Sequence, residues 1–139
     1  MTIEDLHKIL SKGESLHLEF KEARIKVPNN FYDTVVSFLN REGGTIILGA
    51  NDDGVITGID KNAVDQLKKD IVTALNNKDV INPPVNFPIY QLEDKGLIVL
   101  YVKIPVSSHI HSHDGIIYDR ENDSDIRIED DSRISELYF

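Results

Sequence analysis

The run Thr45-Ile46-Ile47-Leu48-Gly49-Ala50 limits the possible folds of this chain more than any other segment does. Nearly every residue in it is apolar and two are successive isoleucines, which is typical of a central strand covered on both faces. Gly43-Gly44 in front of it fits a tight turn from a helix into the strand. Asn51-Asp52-Asp53-Gly54 behind it has the composition of a hairpin turn. We therefore expect the run to lie in the middle of a sheet.

Apolar residues at helical spacing predict three helices around this strand. The first covers residues 3–12, with Thr2 as its N-cap. The second opens at Pro28-Asn29-Asn30 and ends at the glycine pair. The third is capped by Asp60 or Asn62 and ends before Pro83-Pro84, through which a helix does not continue.

Alternating side chains predict the remaining strands. Leu16, Leu18 and Phe20 point to one side, whereas His17, Glu19 and Lys21 point to the other, so we expect a half-buried strand with a polar face. Further strands are expected at Val55–Ile59, Val85–Gln91, Leu97–Ile104, Gly115–Tyr118 and Asp125–Ile128. Together these elements predict one α+β domain over residues 1–139, with a mixed sheet packed by two or three helices.

Composition restricts the cellular compartment and the binding partners. The absence of cysteine excludes a disulfide framework and a thiolate metal site. With neither a signal peptide nor a membrane-spanning segment in the sequence, we expect a cytoplasmic protein. The net charge of −9 opposes general attraction to nucleic acid, although the acidity is concentrated near the C-terminal end. A local basic face of Lys21, Arg24, Lys26 and Arg41 is therefore still compatible with phosphate binding, although Arg41 equally fits a complement to a helix dipole.

Three motifs occur in order along the chain. They are the segment Glu14-Ser15-Leu16-His17-Leu18-Glu19-Phe20-Lys21, the helix end and strand from Phe38 to Gly49, and the acidic turn of residues 51–59. In sequence and spacing they resemble the AlbA-like domain of the Schlafen family, which also occurs in bacterial proteins described as DNA-binding or transcriptional regulators. The resemblance covers about residues 13–105. Residues 106–139 diverge, because Tyr118-Asp119-Arg120 keeps the aromatic residue and the arginine of the family without the Gly-Ser that follows them.

This resemblance implies a metal-dependent endoribonuclease site for structured RNA such as transfer RNA. By motif position, Glu14, Glu19 and Asp52 would bind Mg²⁺ or Mn²⁺, and Lys21 would contact the scissile phosphate. The residues alone equally fit a surface glutamate, a solvated strand glutamate and an ordinary turn aspartate. Since Glu14 and Glu19 are five residues apart, a regular strand would place them on opposite faces, so Glu14 is expected to precede the strand.

Other interpretations stay open at this point. His109, His111 and His113 would share one side of a strand and could bind a metal, but a solvated histidine strand is the favoured interpretation. His17 fits an exposed strand histidine or an aid to proton transfer. The alternatives to a nuclease are a non-catalytic DNA- or RNA-binding regulatory module and a protein–protein assembly domain. Because the Schlafen core elsewhere has two similar lobes, the resemblance also implies a homodimer.

Overall fold

A computed structural model, which describes residues 1–129 and 131–137, shows the expected α+β fold. It contains helices at Ile3–Lys12 (α1), Asn30–Asn40 (α2), Val64–Leu75 (α3) and Asp131–Leu137 (α4), and strands at Leu18–Lys21 (β1), Gly44–Leu48 (β2), Ile81–Asn82 (β3), Ile89–Asp94 (β4), Leu97–Ile104 (β5), Ser112–His113 (β6), Ile116–Glu121 (β7) and Ser124–Ile128 (β8). Within these residues no helix has both the length and the apolarity needed to cross a membrane.

The first sheet has the strand order β1-β2-β5-β4. Its β1 and β2 are parallel, while β2–β5 and β5–β4 are antiparallel, so the sheet is mixed. Strand β2 is internal, and its residues Ile46, Ile47 and Leu48 are fully buried. This confirms the prediction of a central strand covered on both faces. Gly43 makes the predicted tight turn, with φ of 77°, and its N–H donates to the carbonyl of Phe38.

Helix α1 covers one face of this sheet. Thr2 and Asp5 form a capping box, in which each side chain accepts a hydrogen bond from the other residue's N–H. The cap predicted from the sequence is therefore confirmed. The apolar stripe of α1 packs on the sheet through a small core, formed by Leu6, Leu10, Phe20, Ile47, Ala50, Val99 and Tyr101.

The opposite face carries the larger core, to which α2 and α3 contribute. Behind α2 lies a second sheet of order β3-β6-β7-β8, which the sequence did not separate from the first. Asn40, at the end of α2, joins these layers, because its side-chain N–H groups donate to the carbonyls of His111 and Tyr118. Its amide oxygen accepts from the N–H of His111. The buried end of α2 therefore fixes the position of β7.

Two local predictions are wrong. Residues 55–59 do not form a returning strand, since only the isolated bridges Ala50–Ile56 and Ile59–Ile98 occur there. The chain instead turns sharply at Gly49, whose φ is 105° and whose carbonyl accepts from two N–H groups further along. Helix α3 has Ala63 at its N-cap with no side-chain bond, because Asp60 caps the preceding turn at Asn62.

Candidate functional site

The three carboxylates singled out from the sequence line one polar cleft. Glu14, Glu19 and Asp52 border a cavity of about 330 Å³ together with Lys21. The remaining lining consists of Phe20, Glu22, Pro28 and Asn30. Since β1 and β2 are parallel, Lys21 at the end of β1 and the turn after β2 emerge at the same edge of the sheet. This arrangement brings Asp52 to the carboxylates of the first motif.

Glu14 reaches the cleft from outside the strand, as its spacing from Glu19 required. The chain turns between Ser15 and Leu18, the first residue of β1, and these two residues form an isolated bridge. One carboxylate oxygen of Glu14 then accepts the N–H of Phe20 at 3.0 Å. Glu14 therefore satisfies the backbone of β1, a strand at the edge of its sheet.

Glu19 is buried, with a relative exposure of 9%, and so is not the solvated strand residue of the plainer interpretation. Its Oε2 lies 2.8 Å from a guanidinium nitrogen of Arg120, and its Oε1 lies 3.9 Å from Nζ of Lys21. The polar face predicted for β1 exists, but the second sheet supplies an arginine that covers it.

Arg120 is the centre of this buried polar network. Its side chain is fully buried, and NH1 also lies 2.9 Å from a carboxylate oxygen of Asp125. NH2 donates to the carbonyls of Ser15 and Leu18, which ties β7 to the turn in front of β1. The guanidinium also stacks 4.8 Å from the ring centre of Phe38.

Asp125 is itself held in place by α2. Its two carboxylate oxygens accept from Thr34 Oγ1 at 2.5 Å and from Ser37 Oγ at 2.6 Å. A chain of contacts therefore runs from α2 through Asp125 and Arg120 to Glu19. Arg120 had a signal in the sequence only through the family resemblance, and Asp125 was predicted only as part of a strand.

The environment of Glu19 raises its pKa from the ordinary 4.5 to about 8. The largest cause is burial, and the second is a hydrogen bond with the carboxyl of Glu14. Lys21 and Arg120 lower the pKa, but they do not outweigh these effects. A pKa of about 8 favours the protonated form of Glu19 at neutral pH.

As donors, the carboxylates of the cleft fit a hard divalent cation, which prefers oxygen ligands. Glu14 and Glu19 lie within hydrogen-bonding reach of each other, whereas Asp52 is an exposed turn residue at the same cleft. In the part of the chain that the structure describes, no three His, Asp or Glu side chains converge closely enough to hold a metal as they stand. Binding by all three would therefore require Asp52 to turn inward.

The four predicted phosphate contacts lie in different surroundings. Lys21 lines the cleft. Arg41 makes two hydrogen bonds to Asp119, which raise its pKa. Arg24 borders another pocket, beside residues 57–60, and Lys26 is exposed. Of the four, Lys21 alone is among the residues that line the carboxylate cleft.

The histidine segment corrects a further prediction, because it is not a solvated strand. His111 and His113 are each 3% exposed, while His109 is exposed. His111 contacts Ser107 Oγ and the carbonyl of Pro83, each at 2.7 Å, and burial lowers its pKa. His113 contacts a carboxylate oxygen of Asp33 at 2.7 Å. The two buried rings thus have separate structural partners.

His17 is exposed, as the plainer interpretation predicted. Its Nε2 lies 2.7 Å from a carboxylate oxygen of Glu42, and it is not among the residues that line the carboxylate cleft.

Two solved structures are similar to this fold. One is the DIP2311 protein from Corynebacterium diphtheriae, with a TM-score of 0.64 and 20% sequence identity over 91% of this chain. This chain spans 29% of the length of that protein. The other is the N-terminal domain of a RecG-related protein from Nitrosomonas europaea, with a TM-score of 0.55 and 21% identity over 73% of this chain and 72% of that domain. At these identities the likenesses establish a shared fold.

Sequence comparison adds the family. No protein of curated function matches the chain significantly. The family profile described as Schlafen, AlbA_2 matches residues 14–129, which extends beyond the resemblance at residues 13–105 and takes in Arg120 and Asp125. Since this match covers most of the chain and the whole carboxylate cleft, the protein belongs to the Schlafen AlbA_2 family.

Proposed function

We propose that the protein is a nucleic-acid-binding Schlafen domain whose carboxylate cleft cleaves structured RNA, such as transfer RNA, in a metal-dependent reaction. The observation that carries this proposal is the meeting of Glu14, Glu19 and Asp52, from two separate motifs, in one cleft with Lys21. The membership in the Schlafen AlbA_2 family supports the reaction type. The name of the N. europaea neighbour, which relates it to an ATP-dependent DNA helicase, supports a role with nucleic acid.

Each residue of the cleft has a distinct role in this proposal. Glu14, Glu19 and Asp52 would hold Mg²⁺ or Mn²⁺, and the bound ion would polarise a phosphoryl oxygen and activate water. Lys21 would place its positive charge against the scissile phosphate. Arg120 acts as a positioning residue, because it fixes one oxygen of Glu19 and leaves the other toward Lys21.

A second candidate function is a non-catalytic binding module, such as a DNA-binding regulator. The observation that favours it is that Glu14 accepts the N–H of Phe20 and Glu19 contacts Arg120, so both carboxyl groups have partners without any metal. Under this proposal the carboxylates maintain the edge of β1, and the family fold serves to bind DNA or RNA without cutting it.

The decisive experiment is incubation with transfer RNA and with duplex DNA, in Mn²⁺ and in EDTA. Asp52→Ala is compared with Asp53→Ala, because both residues are exposed carboxylates of the same turn and Asp53 is not in the cleft lining. We expect Mn²⁺-dependent cleavage of transfer RNA that is reduced at least ~100-fold in Asp52→Ala and retained in Asp53→Ala. Intact RNA with wild-type protein, or equal activity of both variants, would reject the nuclease in favour of the binding module.

The proposal includes a homodimer, in which two copies would form one substrate groove in place of the two lobes of larger Schlafen cores. Light scattering over a range of protein concentrations measures the mass directly. A dimer mass at micromolar concentration supports this part of the proposal. A monomer mass at every concentration rejects it. A dimer that binds neither RNA nor DNA would instead favour a protein–protein assembly domain.

A further inference from the structure

A second concave surface lies on the other side of the first sheet, against α1. This α1 groove has a volume of about 400 Å³. It is lined by Met1, Asp5, Lys8, Ile9, Lys12, Thr45 and Lys103. Glu19 of the carboxylate cleft points away from it, because the adjacent Phe20 belongs to the core under α1. The α1 groove and the carboxylate cleft are therefore separate surfaces.

The α1 groove concentrates positive charge in an acidic protein. Lys8 and Lys12 are four residues apart, so they lie on one face of α1, and Lys103 extends from β5 toward the same concavity. Among the ion pairs of residues 1–129 and 131–137, none involves these three lysines. The acidic residue of the lining, Asp5, accepts the N–H of Thr2 in the capping box. Three converging cations thus face a single carboxylate.

An aromatic platform adjoins the groove. Tyr90 is 44% exposed, and its ring stacks on that of Tyr101 with centres 5.0 Å apart and an angle of 22°. Tyr101 and Lys103 are alternate residues of β5, so they point to the same face of the sheet. The pKa of Tyr101 is raised by burial, by Tyr90 and by Asp5 of the groove lining. Because Tyr90 pairs with Tyr101, its ring is a diagonal cross-strand neighbour of Lys103 on this face of the sheet.

We propose that this surface binds single-stranded nucleic acid, with phosphates against Lys8, Lys12 and Lys103 and an unpaired base on Tyr90. Lysines neutralise the backbone, and an exposed ring that is supported from below offers a stacking surface of any base sequence. A base within a duplex cannot reach such a ring, so the aromatic platform selects single strands. The binding does not depend on chemistry in the carboxylate cleft.

The test is fluorescence anisotropy of the full chain with a labelled single-stranded oligonucleotide of about ten nucleotides, in EDTA so that no cleavage occurs. The triple variant Lys8→Gln, Lys12→Gln, Lys103→Gln is compared with Lys61→Gln, Lys68→Gln, Lys78→Gln, which removes the same charge elsewhere. We expect at least ~10-fold weaker binding for the groove variant at low salt, and little change for the control. The slope of log affinity against log salt should fall by about 2, since each phosphate contact on a single strand contributes ~0.7.

The platform is tested separately with Tyr90→Ala and Tyr90→Phe. We expect Tyr90→Ala to bind ~5- to 100-fold more weakly and Tyr90→Phe to bind like the wild type, because a phenyl ring still stacks. Equal losses in the two triple lysine variants, tighter binding of a duplex than of the single strand, or displacement by poly-glutamate as effective as by nucleic acid would overturn the proposal. Asp52→Ala should retain this binding, so failure of the groove and failure of the nuclease are distinguishable.

Discussion

The raised pKa of Glu19 leads to a prediction about stability and pH. Between pH 4.5 and 8 the folded protein retains a proton on Glu19 that the unfolded chain has released. The contribution of this group to stability is therefore fully present below pH 4.5 and is lost as pH rises through 8. The direction is opposite to that of an ordinary carboxylate in an ion pair, whose contribution is lost as pH falls.

The size of the effect follows from the same pKa. At about 1.4 kcal/mol per pH unit, the change from 4.5 to about 8 corresponds to at most about 5 kcal/mol. Because the carboxyl borders an open cleft and faces Lys21 and Arg120, screening reduces this value, and we expect about 2 kcal/mol. Glu19→Gln has no proton to release and keeps an oxygen that can accept from Arg120. Relative to the variant, the free energy of unfolding of the wild type should fall by about 2 kcal/mol between pH 5 and pH 9.

The assay is urea unfolding at pH 5, 7 and 9, with the free energy of unfolding obtained by linear extrapolation. Glu93→Gln serves as the control, because Glu93 is an exposed carboxylate on β4. The difference between wild type and each variant cancels the titration of the five histidines. If the wild type gains stability relative to Glu19→Gln as pH rises, Glu19 is ionised in its contact with Arg120 and the reasoning is refuted.

Two further predictions concern the packing that supports the cleft. Arg120→Met should lower the free energy of unfolding by ~3–5 kcal/mol, because the buried Glu19 and the half-buried Asp125 both lose their guanidinium partner. Arg127→Met at an exposed position should cost less than ~0.5 kcal/mol, and a loss below ~1 kcal/mol in Arg120→Met would contradict this. Gly43→Ala should cost at least ~2 kcal/mol, because its φ is 77° and a Cβ atom would lie 2.5 Å from the carbonyl of Ile104. Gly96→Ala has a similar φ and open space, so equal losses in thermal or urea unfolding would show that the contact with Ile104 does not matter.

The elements that depend on local spacing were predictable from the sequence. The capping box of Thr2 fixes the start of α1, and the apolar run of β2 required cover on both faces. The irregular path of residues 55–59 was not predictable, because their apolar alternation fits a hairpin strand while the positive φ at Gly49 bends the chain away. The separate second sheet was missed because its order depends on long-range pairing, such as that of β3 with β6.

The carboxylates that line the cleft were predictable from the sequence, but the burial of Glu19 and its contact with Arg120 were not. Alternation along β1 correctly assigned Glu19 to the face opposite Phe20. It could not show what covers that face, because Arg120 lies about a hundred residues later and reaches β1 only through the packing of β7 on α2. Charge counting gave Arg41 a possible role with phosphate, whereas the fold bonds it to Asp119.

The polar groups of the cleft have two features that are unfavourable for stability. Nε of the buried Arg120 lacks a hydrogen-bond partner among the residues that the structure describes, and burial keeps Glu19 protonated beside a second carboxyl. Replacing the buried pair of Arg120 and Glu19 with well-packed apolar residues would be expected to raise the free energy of unfolding. Buried polar groups that reduce stability are expected at positions where function constrains the sequence. Under the proposed function, a divalent cation would have to displace the proton of Glu19, so its affinity would rise with pH while stability falls, and Glu19→Gln would abolish both dependences together.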